Sequence, residues 1–177
     1  GVKDLIIDLR DNPGGGLTEV LNVAYTMIPK GKVIVSIRSN NGDEDVYKSK
    51  GDTQIDMRIV VLVNGHSASA SELLTGALKD YGIATIVGTQ TYGKGIVQSY
   101  FHLSNGNGWA KMTTDAYYTP NGVCIQGIGI TPDIVVELPE ELKDMTFDTP
   151  DPAKDTQLQA AIAVFSQQAK SAETARR

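Results

Sequence analysis

The chain has 177 residues, 41% of them hydrophobic, which is enough to bury one core but leaves no room for a second full domain. Its formal net charge is -5, and its lysines and arginines form no dense cluster, which argues against nucleic acid as a partner. No apolar run approaches the roughly 20 residues of a membrane-spanning helix. Cys124 is the only cysteine, which excludes an internal disulfide and a zinc site built on cysteines.

The first half of the chain alternates strands and helices. The predicted elements are a strand at 5–9, a helix at 17–28, a hairpin of strands at 32–39 and near 46–47, a strand at 59–63, a helix at 70–81 and a strand at 84–87. The run Ile59–Val63 is continuous and β-branched, which is typical of a parallel strand covered on both faces. Strand, helix, strand occurs twice, which predicts right-handed βαβ units and a layered α/β core.

The second half predicts antiparallel strands at 96–103 and 109–118 and a last short strand at 133–138. An apolar stripe from Leu158 to Ala169 then predicts a terminal helix. We divide the chain into a core at 1–143, a linker at 144–152, and a helix with a frayed tail at 153–177. Because the sequence begins almost directly on a strand, we expect it to be a fragment of a longer protein.

Two segments carry residues capable of nucleophilic chemistry. Ser69 lies in Ser67–Glu72, just before a predicted helix, and Lys94 lies between two glycines with Gln98 four residues later. A serine hydroxyl needs a neighbouring group to take its proton, and a lysine can do so where burial in a dry pocket favours the neutral amine. We therefore expect a buried Lys94 side chain, oriented by the Gln98 amide.

The two histidines are weaker candidates for the base. His66 lies three residues before Ser69 on the same tight connection, which would require unusual geometry. His102 falls in a predicted strand, where a structural role is the simpler interpretation.

The start of a helix adds a second effect at Ser69. Amides of the first turn carry partial positive charge, so the Ala70 amide is a candidate donor to a substrate oxyanion. The glycine turn, Gly14–Gly16, is a candidate for the second donor because glycine allows close approach of a substrate backbone.

Each of these features also has a structural explanation. Ser69 and Glu72 match a capping box, in which the serine only caps the helix. The glycine turn fits an ordinary loop, and Lys94 alone fits a surface residue. The run 88–95 is similar to a phosphate-binding loop, but Gly95 stands where a magnesium-ligating Ser or Thr belongs, so we do not expect nucleotide binding.

Five motifs in order resemble those of the C-terminal processing peptidases, also called tail-specific proteases. They are Ile7–Gly15, Val63–Glu72, Thr91–Gln98, Tyr118–Pro120 and Gly129–Asp133. The resemblance implies a serine endopeptidase with a serine-lysine dyad and an acyl-enzyme intermediate. It also implies an α/β fold of the Clp protease/crotonase type, a crotonase-like layered core of ββα units with a mixed sheet, here followed by a C-terminal helix.

The resemblance assigns roles residue by residue and implies no metal or cofactor. The implied roles are nucleophile for Ser69, general base for Lys94, orientation of the lysine for Gln98, and oxyanion hole for Ala70 and Gly15, with Gly14 or Gly16 as alternatives to Gly15.

The resemblance also implies partners and a location. Substrates would be proteins with unstructured C-terminal tails, captured by a PDZ domain that precedes the core in the family and has no counterpart in these residues. An extracytoplasmic location is implied, with membrane association only through segments outside this sequence, and a homo-oligomer is left open. Two other functions stay open: a crotonase-type acyl-CoA enzyme, and a non-catalytic core used for binding or assembly.

Overall fold

Two four-stranded sheets and four helices form the part of the chain that the computed structural model describes, residues 1–104, 106–143 and 151–174. The strands are β1 (Asp4–Asp8), β2 (Val33–Ser39), β3 (Glu44–Lys48), β4 (Arg58–Val63), β5 (Ala84–Gly88), β6 (Ile96–His102), β7 (Trp109–Tyr118) and β8 (Ile134–Val135), and the helices are α1 (Leu17–Tyr25), α2 (Ala70–Asp80), α3 (Glu140–Lys143) and α4 (Thr156–Thr174). The predicted α/β class is confirmed.

The first sheet is parallel and has the strand order β1-β4-β5-β8. Alternate residues of β4 face opposite layers, because successive side chains of a strand point to opposite sides of a sheet. Ile59, Val61 and Val63 pack in the core that includes α1 and α2, whereas Val60 and Leu62 pack against α4. The prediction that this strand is covered on both faces is confirmed.

The carboxyl ends of β1, β4 and β5 lie at one edge of this sheet. Three connections leave from that edge: the β1–α1 loop (9–16), the β4–α2 loop (64–69) and the β5–β6 loop (89–95). In parallel α/β sheets this is the edge at which ligands commonly bind. The topology therefore brings the glycine turn, Ser69 and Lys94 to the same side of the molecule.

The second sheet is antiparallel, with the order β3-β2-β7-β6. The predicted hairpin of β2 and β3 and the predicted antiparallel strands β6 and β7 are confirmed. The first predicted βαβ unit is wrong, since β2 belongs to this sheet and not to that of β1. One edge of β2 pairs with β3 across the tight turn and the other pairs with β7, whereas β4-α2-β5 forms the second predicted βαβ unit.

The last strand is also shorter than the predicted 133–138. Asp133 accepts the Ile86 amide through its side chain and pairs with Lys79, and only Ile134 and Val135 form the ladder. The Val136 amide still donates to the Gly88 carbonyl before the chain turns away into α3. Most of the predicted linker, 144–150, and the end of the predicted tail, 175–177, lie outside the described residues.

Helix α4 is anchored to the core by apolar and ionic contacts. Phe165 and its apolar neighbours cover the second face of the parallel sheet, and Arg10 bridges the start of α4 to the end of β1. Burial acts to lower the pKa of Arg10, but hydrogen bonds and charges from Asp8 and Asp155 outweigh it and raise the pKa above its ordinary value. Among the helices in the described ranges, none is long and apolar enough to span a membrane.

We expect Asp155→Asn to destabilise the fold by about 2 to 4 kcal/mol, because it removes one partner of a largely buried ion pair. The side chains of Asp155 and Arg10 are 3% and 15% exposed. Asp155 also accepts the Leu158 amide as the cap of α4, a bond that Asn retains, so Asp155→Ala should cost about 1 kcal/mol more.

Urea unfolding measures the decrease in the free energy of unfolding of the Asp155 variants. The control is Asp52→Asn, which removes an exposed partner of Lys30 and should cost less than about 1 kcal/mol. An Asp155→Asn protein as stable as the Asp52→Asn protein would contradict the role given to this pair.

Candidate active site

Ser69 has a strained backbone at the start of α2. Its φ of 54° and ψ of -118° match the first central position of a type II′ turn, which normally takes glycine. Such a conformation costs about 1 to 3 kcal/mol and persists only where its surroundings fix it. The Ala68 amide donates to Asn12 at 3.0 Å, and the Ser67 carbonyl accepts from Tyr92 at 3.0 Å. Loops on both sides therefore hold the half-buried Ser69 in place.

The glycine turn packs directly against this segment. An added Cβ at Gly14 would lie 2.6 Å from the Ala68 carbonyl oxygen and 2.8 Å from the Ala70 nitrogen, and Gly14 has a φ of 96°. The Gly14 amide is already taken by the Asn12 side chain at 2.9 Å. The amides of Gly15, Gly16 and Ala70 donate to no other described residue, and we call these three groups the open amides.

Lys94 lies on the β5–β6 loop with its side chain exposed, so the burial expected for it is wrong in this structure. The flanking residues Gly93 and Gly95 are buried, and Ile86 and Val87, which precede the loop, pack into the two cores rather than around the lysine. Gln98 is also exposed, on β6. Neither the Lys94 amine nor the side-chain amide of Gln98 forms a hydrogen bond with another residue of the described ranges.

The backbone around Lys94 is nevertheless fixed. Gly95 donates its amide to the Gln126 side chain at 2.9 Å, and the Gly93 carbonyl accepts from Gly127 at 2.9 Å. A Cβ at Gly95 would lie 2.4 Å from the Gln126 nitrogen, so glycine is needed for this close approach. The exposed lysine side chain therefore extends from a rigid peptide.

Glu72 connects the β4–α2 loop to the β5–β6 loop. Its Oε2 accepts the amides of Ser69 at 2.9 Å and Lys94 at 2.8 Å. Its Oε1 accepts the Thr91 hydroxyl at 2.6 Å and the Gly93 amide at 2.7 Å. Because one oxygen binds both amides, the backbones of the two candidate dyad residues are close neighbours.

The sequence indicated Glu72 only as part of a capping box, and of that pattern the bond from the Ser69 amide to the Glu72 carboxylate forms. Its contacts with the β5–β6 loop were missed, since they join residues about 20 positions apart. One signal in the sequence was that Glu72 is the only charged residue of α2 before Lys79, and the structure buries every residue from Ala70 to Leu78. A glutamate in such a helix needs buried hydrogen-bond donors.

An apolar cleft of about 260 Å³ lies beside the open amides and was also missed. The glycine turn and Ala70 line one part of it. Its apolar side chains come from the β1 region, α1 and α2: Ile7, Leu9, Val20, Val23 and Leu74. Because a ligand carbonyl at the amides would lie next to this cleft, an attached apolar side chain could enter it.

Neither histidine forms a hydrogen bond with Ser69 in the described residues. His66 binds Asp11 at 2.8 Å through Nδ1, with 79% of its side chain exposed. Burial acts to raise the pKa of Asp11, but hydrogen bonds from Asn64 and His66 outweigh it and lower the pKa below its ordinary value. His102 instead packs edge-on against Trp109 in the β6–β7 hairpin. The two histidines therefore stay outside the candidate site.

Known proteins are similar to this chain in sequence. The sequence matches peptidase family S41 over residues 1–136. A carboxy-terminal-processing protease of Bartonella bacilliformis is 48% identical over 145 residues, 80% of this chain and 33% of that protein. A probable CtpA-like serine protease of Staphylococcus aureus is 42% identical over 142 residues, 79% of this chain and 28% of that protein. The chain thus spans about a third of the length of these curated relatives.

A solved structure is similar as well. The photosystem II D1 C-terminal processing protease superimposes with a TM-score of 0.72 and 40% sequence identity. The match covers 78% of this chain and 36% of that one. At this identity the similarity extends to the sequence as well as to the fold.

We expect Gly14→Ala to destabilise the protein by about 2 to 4 kcal/mol, since the new Cβ meets two backbone atoms and φ is positive. Gly15→Ala is the matched control, because a Cβ there has nothing within 4 Å. It should change the free energy of unfolding by less than about 1 kcal/mol. Urea unfolding compares the two variants, and equal losses would contradict the packing described for Gly14.

Proposed function

The chain belongs to peptidase family S41, and we propose that it forms the catalytic core of a serine endopeptidase that cleaves proteins near disordered C-terminal tails. The observation that carries this proposal is the strained Ser69 at the start of α2, beside the open amides of Ala70 and the glycine turn. Strain of this kind is typical of a nucleophile presented at a sharp turn between a strand and a helix. The names of the relatives support processing at the C-terminus.

In the proposed reaction, the neutral Lys94 amine takes the Ser69 hydroxyl proton as the serine oxygen attacks the substrate carbonyl carbon. The oxyanion accepts hydrogen bonds from the Ala70 and Gly15 amides. The C–N bond then breaks, and the lysine gives its proton to the leaving amine. Water, deprotonated by Lys94, attacks the resulting ester, which releases the carboxyl product and restores Ser69.

The open amides favour Gly15 over Gly14 as the second oxyanion donor. The Gly14 amide is bound to Asn12, whereas Gly15 and Gly16 are exposed with open amides. A substrate carbonyl could therefore approach Gly15 without breaking an existing hydrogen bond. Gly16 is the alternative within the same turn.

The exposed Lys94 side chain gives the substrate a part in the mechanism. We propose that bound substrate covers the amine and removes water from it, which favours the neutral form. Gln98, on the neighbouring strand β6, would then orient the amine through its side-chain amide. The fixed peptide around Lys94 limits how far the side chain can move.

Substrates and location follow from the same proposal. The substrates are proteins with unstructured tails, and an apolar side chain just before the cleaved bond enters the cleft beside the glycine turn. Selection of tails by a PDZ domain, membrane association and oligomerisation would depend on parts of a longer protein. We propose an extracytoplasmic location, as the resemblance implies.

A fluorophosphonate probe that reacts with activated serines tests the nucleophile and base. Intact mass should show one adduct on the wild-type protein and none on Ser69→Ala. Lys94→Ala should slow labelling at least about 100-fold, because general-base catalysis contributes roughly 10² to 10⁴. Lys111→Ala, an exposed lysine on β7, should label at the wild-type rate. Wild-type labelling of Lys94→Ala would contradict lysine as the base.

The cleft predicts a specificity change in Val23→Asp. A carboxylate there should lower kcat/KM for a tail peptide with Leu before the cleaved bond by about 10-fold or more, through lost apolar contact. A peptide with Gly at that position should lose much less. The matched control is Val46→Asp, because Val46 is 45% exposed, close to the 43% of Val23, and does not line the cleft. An equal decrease in kcat/KM for both peptides in Val23→Asp would contradict this use of the cleft.

A further inference from the structure

Glu72 is the most deeply buried carboxylate that the structure describes, with 0% of its surface exposed. Asp155, the next most buried, pairs with Arg10. Glu72 pairs with no lysine, arginine or histidine within the described ranges. A buried charge without an ionic partner requires hydrogen bonds that replace the lost water. The donors around Glu72 therefore define its role.

The four donors to Glu72 require an ionised carboxylate. Three are backbone amides, which cannot accept a hydrogen bond in return. The fourth is the Thr91 hydroxyl, whose oxygen accepts the Ile130 amide at 2.7 Å, so that its proton is available to Glu72. A protonated acid carries an O–H group and a glutamine amide carries an NH₂ group. Either group would face one of the four donors and lose its hydrogen bond. Only a carboxylate accepts all four bonds.

These donors come from two separate connections in the chain. Ser69 precedes α2, whereas Thr91, Gly93 and Lys94 follow β5. The two amides that meet at Oε2 belong to the proposed nucleophile and the proposed base. The Lys94 and Gln98 side chains have no hydrogen bond within the described residues that could fix the same spacing.

We infer that Glu72 is a positioning residue, whose carboxylate sets the distance between the Ser69 and Lys94 backbones. This inference rests on the proposed serine-lysine mechanism. Glu72 does not touch the substrate; it acts through the two peptides it binds. The apolar cleft lies beside Ala70 and the glycine turn, and Glu72 does not line it. Loss of the carboxylate should therefore lower kcat and leave KM almost unchanged.

The test is Glu72→Gln in the 177-residue protein, with Glu141→Gln as the control on an exposed helical glutamate. In Glu72→Gln we expect kcat on a tail peptide and the rate of fluorophosphonate labelling to fall about 100-fold or more, with KM within about 3-fold of wild type. Glu141→Gln should match the wild type. A folded Glu72→Gln protein with wild-type kcat would overturn the inference.

Hydrogen exchange of single amides, followed by NMR, separates this inference from the proposed function. The Ser69, Gly93 and Lys94 amides should exchange at least about 10-fold faster in Glu72→Gln, whether or not the protein cleaves peptides. Unchanged exchange at Ser69 and Lys94 overturns the positioning role even if the wild type is active. Failure of the wild type to label at Ser69 overturns the proposed function, while the exchange data still test the spacing.

Thr91→Val provides a second variant if Glu72→Gln does not fold. It removes one donor to Oε1 and leaves the bonds of Ser69 and Lys94 to Oε2 in place. We expect faster exchange at Gly93, which shares Oε1, and a turnover rate that falls roughly threefold to tenfold. Wild-type values of both quantities in Thr91→Val would overturn the inference.

Discussion

The carboxylate of Glu72 connects two loops that leave separate strands, and the candidate site depends on this connection. The parallel sheet brings the ends of β1, β4 and β5 to one edge, but this topology leaves the spacing of the loops open. Four hydrogen bonds to the buried Glu72 carboxylate fix that spacing from within the protein, together with the bond from the Tyr92 amide to the Ser67 carbonyl. Three of the four bonds to Glu72 come from backbone amides and one from the Thr91 hydroxyl, so the exposed Lys94 side chain takes no part in them.

The strain at Ser69 belongs to the same arrangement. Its backbone conformation costs about 1 to 3 kcal/mol, which packing of α2 and of the parallel sheet offsets. The nearby glycines allow the loops to approach closely: Gly14 lies against Ala68 and Ala70, and Gly95 lies against Gln126. A rigid set of amides results, of which those of Gly15 and Ala70 stay open. Preorganised donors of this kind stabilise charge that develops during a reaction without further rearrangement.

Sequence reasoning succeeded where local pattern decides the outcome. The β-branched run of β4 and the apolar spacing of α2 identified both elements, and Ser69 falls where a helix begins. It failed where distant contacts decide: β2 joined another sheet, and Lys94 was expected to be buried. A neutral amine was expected to need a dry pocket, but Lys94 is exposed, and Ile86 and Val87 before its loop pack into the cores. The Glu72 contacts with the β5–β6 loop likewise depend on tertiary structure that no short motif encodes.

The most direct measurement is a crystal structure of the protein with a peptide aldehyde that ends in an apolar residue. We expect a covalent bond from Ser69 Oγ to the aldehyde carbon. The new oxygen should lie about 3 Å from the Ala70 and Gly15 amides, the Lys94 amine at hydrogen-bond distance from Ser69 Oγ, and the apolar side chain in the cleft. An adduct on another residue, or a Lys94 amine still directed to solvent beside a bound peptide, would contradict it.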